Sequence, residues 1–541
     1  MSQSRRTFLR QTLGTTAAVG ALPLLQACGS EDGAAAQSKV VPTYSYDGAL
    51  GPDTLFAHGV ASGDPLVDSV VLWTRVSLPE AELAAGEVEV FWEIARDAAF
   101  EDRVDAGTVV AKASADWTVK VDPFSLVAGT TYYYRFWLQG RSSPIGRTRT
   151  LPAAKVEHLR IGVCSCSNFS GYFTAYRHMA ERADLDVVLH LGDYIYEYAG
   201  NPENARFAAP AHEIVTLEDY RTRYAAHRSD PDLQEVHRQH AFINIWDDHE
   251  TANNAYTDGS PQHDEGEGTW GERKSVAQQA WREWMPARVG DDGKIWRSFE
   301  FGQLCDLWML DTRLWNRDKQ TTPSQKAVIA DPSRSFLGPD QEAWLHDGLR
   351  TSKARWRVLG QQVMIARLGI GSMILNSDQW DGYQPTRDRL FEVVRETGVG
   401  NFVVLTGDIH TSWANDLVED SSPEAGKYDV STGTGALGVE FVVPGITSGG
   451  LPGGAGAEIA GLALEYNPHI KWSDVQHRGY GVLDLTSERC AFEWTHVEAV
   501  SSPGGKVFHG KSFVTMHGSG HLDPMDGPLP AKADPPPLAP T

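Results

Sequence analysis

From residue 155 onward, apolar runs alternate with amphipathic stretches, and LRIGV, DVVLHL, AFINIW, LWML, RVLG and FVVLT read as buried strands. Between the first two, Gly171 to Ala183 sets Tyr172, Tyr176, Met179 and Ala183 at three-to-four spacing, which predicts a helix. Further helices are predicted over 216–228, 272–284 and 339–350, the last opening on Pro339-Asp340. The pattern predicts an α/β domain over 155–500. Upstream, residues 46–152 hold SVVLWTRV, EVEVFWEIA, GTVVAKA, WTVKVD and TYYYRFWLQ, separated by turn residues, which predicts a small β-sandwich domain. Gly449 to Gly456 reads as a loop and Gly481 to Val497 as a hairpin. The C-terminal extension, 501–541, ends in a tail with Pro524, Pro528, Pro530 and Pro535 to Pro537, expected to be extended and poorly packed.

At 541 residues the chain is too long for one core, and its ordinary hydrophobic and charged fractions exclude wholesale disorder and coiled-coil architecture. Lys and Arg number 48 against 71 Asp and Glu, a net charge of −23. Such a surface repels phosphate backbones unless local cations intervene, so nucleic-acid coating is not expected.

The first 27 residues carry arginines and no acid. Ser4-Arg5-Arg6-Thr7-Phe8-Leu9-Arg10, followed by an uncharged stretch too short to span a membrane, resembles a twin-arginine export signal. It implies the twin-arginine translocation machinery as a partner and a periplasmic, envelope-anchored or secreted location. Leu25-Gln26-Ala27-Cys28 resembles a lipoprotein cleavage box, which would make Cys28 an acylated anchor; residues 28–45 read as a tether. Export of a folded chain suits a protein that takes up metal in the cytoplasm. The four later cysteines are too sparse for a disulfide framework.

The apolar runs all stop at polar clusters. They are Cys164-Ser165-Cys166-Ser167-Asn168, Gly192-Asp193-Tyr194-Ile195-Tyr196, Asp247-Asp248-His249-Glu250, Asp311-Thr312-Arg313, Gln361-Gln362 and Gly407-Asp408-Ile409-His410. Ligand crevices of α/β sheets lie beyond the carboxyl ends of the strands, so these clusters are expected to converge. Carboxylates gathered in that number repel one another, and bound cations resolve the conflict. Thiolate, phenolate, imidazole and amide are also present, a donor set for one transition metal beside harder divalent ions.

The order GDxxY, D-H-E, GDxH resembles the metallophosphoesterase superfamily, especially its purple acid phosphatase branch. GVASGDP at 59–65, VLWTR at 71–75, HLGDYIYEY at 190–198, WDDHE followed by Asn253-Asn254, and LTGDIHTSW at 405–413 resemble the PhoD-type alkaline phosphatase and phosphodiesterase family. In addition, Leu126 to Tyr132 resembles the tyrosine corner of fibronectin type III-like domains. The resemblance implies an α/β/β/α sandwich behind a small β-domain, with a site of Fe(III) and one or two Ca(II). Asp193 would be the bridging ligand and Tyr196 the phenolate on iron. The superfamily's first motif, Asp-x-His, is missing; a cysteine takes its place, assigned to Cys166 rather than Cys164. His410 completes the iron set. Asp248 and Asp408 harden the second position toward calcium, Asn253 or Asn254 supplies an amide, and Gln362 falls where a third motif would offer histidine.

The implied reaction is hydrolysis of phosphate mono- and diesters by metal-activated water. His249 would protonate the departing alkoxide, its alternative being a strut held by Glu250; Arg313 would grip phosphate, its alternative being a buried ion pair. A phospholipase D-like phosphodiesterase on the same scaffold and a non-catalytic exported metal-binding module are the competing readings.

Overall fold

In the computed structural model, residues 40–541 are described except 204–205, 291, 372, 399, 421–425 and 451–452. The signal, Cys28 and the tether up to residue 39 lie outside the described residues. The six runs are strands, divided evenly between two sheets. His158–Cys164, Val187–His190 and Ala241–Asn244 are parallel neighbours in a ten-stranded sheet. Cys305–Met309, Trp356–Gln361 and Phe402–Thr406 are parallel neighbours in a seven-stranded sheet, where Ala436–Val442 extends the parallel set.

Successive strand side chains point to opposite faces, so a strand covered on both sides leaves no room for polar positions. Leu307, Met309, Val358, Val403, Leu405 and Phe441 therefore share the inter-sheet core with Ile161, Val163 and Leu189. Their neighbours Trp308, Leu310, Leu359, Val404 and Val442 pack instead with Leu345 and Leu349 of helix Gly338–Thr351 and with Leu390 and Phe391 of helix Gln384–Glu396. Helices Thr174–Ala180, Leu217–Arg228, Pro231–Gln239 and Trp270–Trp284 belong with the ten-stranded sheet, where Gly162 meets Met179. Two of these helices start on capping boxes, Thr216 with Asp219 and Thr269 with Glu272. The layers are α/β/β/α.

The N-terminal sandwich is present but not self-contained. One sheet is its own, built on Glu87–Ala95, Arg103–Lys112 and Thr131–Leu138. The facing layer is the end of the ten-stranded sheet: Val60–Gly63 lies parallel to Ala241–Asn244, followed by Val71–Arg75 and Thr118–Val121. Val60, Leu72 and Val119 pack there against Val90, Ile94, Tyr132 and Phe136. At Gly63 a Cβ would come within 2.2 Å of the Pro286 carbonyl, so GVASGDP needs its glycine to let the strand pass. Asp64 receives both ends of the Arg297 guanidinium at 2.6 and 2.8 Å. The tyrosine corner is formed, the Val127 N–H donating to the Tyr132 hydroxyl at 2.8 Å.

Two expectations change. Helix Gly453–Tyr466 occupies the second half of the segment read as a glycine-rich loop. The proline-rich tail is docked, not loose: Arg238 donates to the Pro540 carbonyl at 2.7 Å, Gln239 exchanges hydrogen bonds with Ala539, and Tyr133 donates to the Pro537 carbonyl. Prolines lack the N–H that would pair in a sheet, but their carbonyls still accept from side chains.

Candidate active site

Five of the six strand ends deliver their side chains to one place. Gly192 makes the approach possible, at φ +101°, where a Cβ would stand 2.4 Å from the backbone nitrogen of Asp247. Beyond it, Cys166, Asp193, Asp408 and His410 all have φ between 54° and 62°, the left-handed region, which turns each side chain away from its strand and toward the others. Cys164 remains in the core with its thiol toward the Leu189 carbonyl, so the pair of cysteines is split by this turn.

The donors form three overlapping groups, within each of which the ligand-type atoms lie within 4.8 Å of one another: Cys166, Asp193 and His410; Asp193, Asp248 and His249; Asp247, Asp248 and Asp408. Tyr196 joins the first, its hydroxyl 3.1 Å from Asp193 Oδ2 and 3.1 Å from His410 Nε2. His410 Nδ1 is directed to the Gly449 carbonyl at 2.8 Å, which fixes the ring and leaves Nε2 facing the group. Asn253 and Asn254 sit in the loop over this point, their backbone N–H groups donating to Glu197 at 2.7 Å and to Asp248 Oδ2 at 2.5 Å.

Burial and crowding of charge perturb Cys166, Tyr196, Asp193, Asp408 and His249. Burial, with the charge of Asp193, pushes the Cys166 thiol and the Tyr196 phenol well above their ordinary values. Burial raises Asp408 to about 7, against the Arg313 charge and with that of Asp248. For Asp193 burial is outweighed by His249, His410 and Arg313, which hold its carboxyl below the usual range. His249 is held well above its usual value because Glu197, Asp193 and Asp248 overcome its burial.

Four aspartates, Asp247, Asp248, Asp378 and Asp408, share the one Arg313 guanidinium, whose side chain is fully buried. Its Nη1 donates to Asp378 at 2.5 Å and its Nη2 to Asp408 at 2.6 Å, while Nε is committed to Asp247. In this arrangement Arg313 holds the acidic loops together and has no face open to a substrate. Even so, Asp193 Oδ1 and Asp247 Oδ2 are buried with no hydrogen-bond partner. Orphaned carboxylate oxygens beside thiol, phenol and imidazole fit bound cations.

Gln362 does not join the donors. Its Oε1 accepts from both the N–H and the hydroxyl of Thr312, and its Nε2 donates to the Trp246 and Leu310 carbonyls. Both lone pairs of that oxygen are in use, so the amide locks the two sheets' strand ends and offers no metal ligand. Glu250 is likewise a girder: it accepts the backbone N–H groups of Asp193, Tyr194 and Asp247 at 2.8 to 3.0 Å. The partner of His249 is Glu197, 2.6 Å from Nδ1, not Glu250.

Sequence reasoning passed over Glu197, Asp378 and Ser448. Glu197 stood one residue beyond Tyr196 within the quoted HLGDYIYEY motif; Asp378 and Ser448 lie on loops without periodic signal. Ser448 donates to the Tyr196 hydroxyl at 2.6 Å.

The family model described as "PhoD-like phosphatase" matches residues 161–494, and that described as "PhoD-like phosphatase, N-terminal domain" matches 45–152. "Alkaline phosphatase D" of Bacillus subtilis (strain 168) is 38% identical over 483 residues, which cover 85% of this chain and 80% of that protein. A solved structure described as "Structure of PhoD" is similar with a TM-score of 0.80 and 36% identity, covering 90% of this chain and 94% of that one. Fold and likeness together define a phosphoric ester hydrolase. The chain belongs to the PhoD-like phosphatase family.

Proposed function

We infer that the chain is an exported alkaline phosphatase that cleaves phosphate mono- and diesters with metal ions held in this site. The observation that carries the reading is Asp193, whose carboxylate belongs to two donor groups at once and keeps Oδ1 buried and uncommitted. A carboxylate in that position suits a bridge between two cations. Cys166, Asp193, Tyr196 and His410 would hold iron(III); Asp193, Asp248, Asp408 and the Asn253 or Asn254 amide would hold calcium. Bound there, the metals would supply Lewis acidity, neutralising phosphoryl oxygens and making water more acidic.

The chain's own residues divide the remaining work. His249 carries the proton for the departing alkoxide at Nε2, since Nδ1 is held by Glu197. Arg313 is a positioning residue, because its nitrogens are committed to carboxylates. Gln362 and Glu250 keep the strand ends in register. Export by the twin-arginine route is supported by residues 4–10.

The test uses full-length protein exported through its own signal. Metal analysis is expected to find iron and calcium, with a visible charge-transfer band that is lost in Tyr196→Phe and altered in Cys166→Ser. Release of phosphate from p-nitrophenyl phosphate and cleavage of a bis-ester are expected, with phosphatidylcholine a poorer substrate. Active protein lacking iron would overturn the metal assignment, and turnover confined to phosphatidylcholine would overturn the substrate class.

A further inference from the structure

A second donor cluster lies outside the site just described. Asp474 ends strand Ile470–Asp474 at the edge of the seven-stranded sheet, His477 follows in the next turn, and His496 stands on strand Arg489–Val497 of the ten-stranded sheet. One ligand-type atom from each lies within 4.8 Å of the others. Asp474 Oδ1 is spent on the backbone N–H groups of Gln476 and His477, both at 2.9 Å, which turns Oδ2 toward the two rings. Oδ2 is 2.8 Å from His477 Nδ1 and 3.9 Å from His496 Nδ1.

His496 makes this more than a hydrogen-bonded pair. Its side chain is 1% exposed and its Nδ1 is buried with no partner. Its other nitrogen, Nε2, is 3.2 Å from the Ser412 hydroxyl. If Ser412 accepts from Nε2–H, the Nδ1 lone pair faces Asp474 and His477. That is the tautomer a metal-bound imidazole needs, fixed by an outer hydrogen bond. Phe508 flanks both imidazoles, its ring 5.1 Å from that of His477 and 5.7 Å from that of His496. His477 is 39% exposed at the front and gives an ion a way in.

We propose that Asp474, His477 and His496 form a second metal site, for a divalent transition ion of the zinc class, separate from the candidate active site. Two imidazoles and one carboxylate suit zinc, nickel or copper, and the exposed side leaves a position for water. The ion displaces the proton shared by Asp474 and His477 and gives His496 Nδ1 the partner it lacks. Ser412 is two residues beyond His410, and Arg478 donates to the His410 carbonyl at 3.3 Å, so the site stands directly behind a candidate active-site donor.

The test is equilibrium dialysis of the metal-loaded, full-length protein against micromolar zinc sulfate, followed by metal analysis. Wild type is expected to retain one more equivalent of zinc than His477→Ala or His496→Gln, and Asp193→Asn is expected to keep that equivalent. Ser412→Ala is expected to weaken its retention about 10- to 100-fold, as loss of an outer hydrogen-bond partner does. Equal zinc in wild type and His477→Ala would overturn the proposal, as would loss of the extra equivalent in Asp193→Asn, which would assign it to the active site. His477 lies at the surface, so its variant decides the question even if His496→Gln fails to fold.

Discussion

Glu197→Gln is an isosteric change that removes one charge and reverses one hydrogen bond. Glu197 is fully buried, with Oε2 2.6 Å from His249 Nδ1 and Oε1 accepting the Asn253 N–H at 2.7 Å. A glutamine can keep the second bond through its carbonyl, so the loop is retained. Its amide then donates to Nδ1, which disfavours the doubly protonated ring that His249 needs to act as an acid. A hydrogen bond to a charged group contributes about 1.5–3 kcal/mol, which converts to roughly 10- to 150-fold in rate. The ceiling is the whole contribution of a general acid, about 10²- to 10⁴-fold. The assay compares kcat/KM on p-nitrophenyl phosphate, whose leaving group departs without a proton, with that on a simple alkyl phosphate. The loss is expected on the alkyl ester and nearly absent on the nitrophenyl ester. The double variant with His249→Gln is expected to be no worse on the alkyl ester than His249→Gln alone, because the two residues act as one unit. Equal losses on both substrates would refute the proton-donor assignment and leave Glu197 a purely structural strut.

Asp193→Asn is expected to weaken iron and calcium retention by more than about 100-fold, since even an outer partner of a ligand is worth about 10- to 100-fold; metal analysis after dialysis measures it. Asp484 is buried between His158 at 2.5 Å and Arg160 at 2.5 and 2.9 Å, and these partners hold its carboxyl below the usual range against its burial. A depressed carboxyl stabilises the fold above its unfolded value near 3.8 and loses that effect as pH falls through the lower folded value. Asp484→Asn is therefore expected to be less stable at neutral pH by about 3–5 kcal/mol, with the difference shrinking below about pH 4 in denaturant titrations. Truncation after residue 535 removes the bonds to Pro537, Ala539 and Pro540. It is expected to lower stability by about 2–4 kcal/mol at roughly 1 kcal/mol per bond, while p-nitrophenyl phosphate turnover is unchanged.

The strand ends were legible in the sequence because a strand buried on both faces is an unbroken apolar run, and a polar cluster ends it abruptly. Asp193, Asp248, Asp408 and His410 follow directly from that reading. Gln362 was misread because a glutamine at a strand end can equally satisfy backbone groups, and only the position of Thr312 and Trp246 decides which. Glu197 and Glu250 were not separable by local pattern: each is a carboxylate next to a ligand-type residue, and their roles depend on contacts 52 to 57 residues apart. The union of the sandwich with the catalytic sheet rests on Ser62 and Gly63 pairing with Ala241 and Phe242, a register that no local periodicity encodes. The tail's docking likewise depends on Arg238 and Gln239, far upstream.

The backbone gives an independent reason to place the chemistry at these strand ends. Among the described residues thirteen non-glycine positions have positive φ, and Cys166, Asp193, Asn254, Asp408 and His410 are five of them. Each such residue costs about 1–3 kcal/mol and persists only where the surroundings over-determine it. Here they do. Asp193 has its N–H on Glu250 and its carbonyl on the Ser167 N–H; the Cys166 N–H meets the Gly192 carbonyl; Gly407 is tied to the Gln362 carbonyl at 2.9 Å. Glycine at any of these positions would relieve the strain and delete the donor. Retaining a side chain in the strained conformation makes sense where the donor itself is needed, and Glu250 and Gln362 are the girders that hold the donors in place.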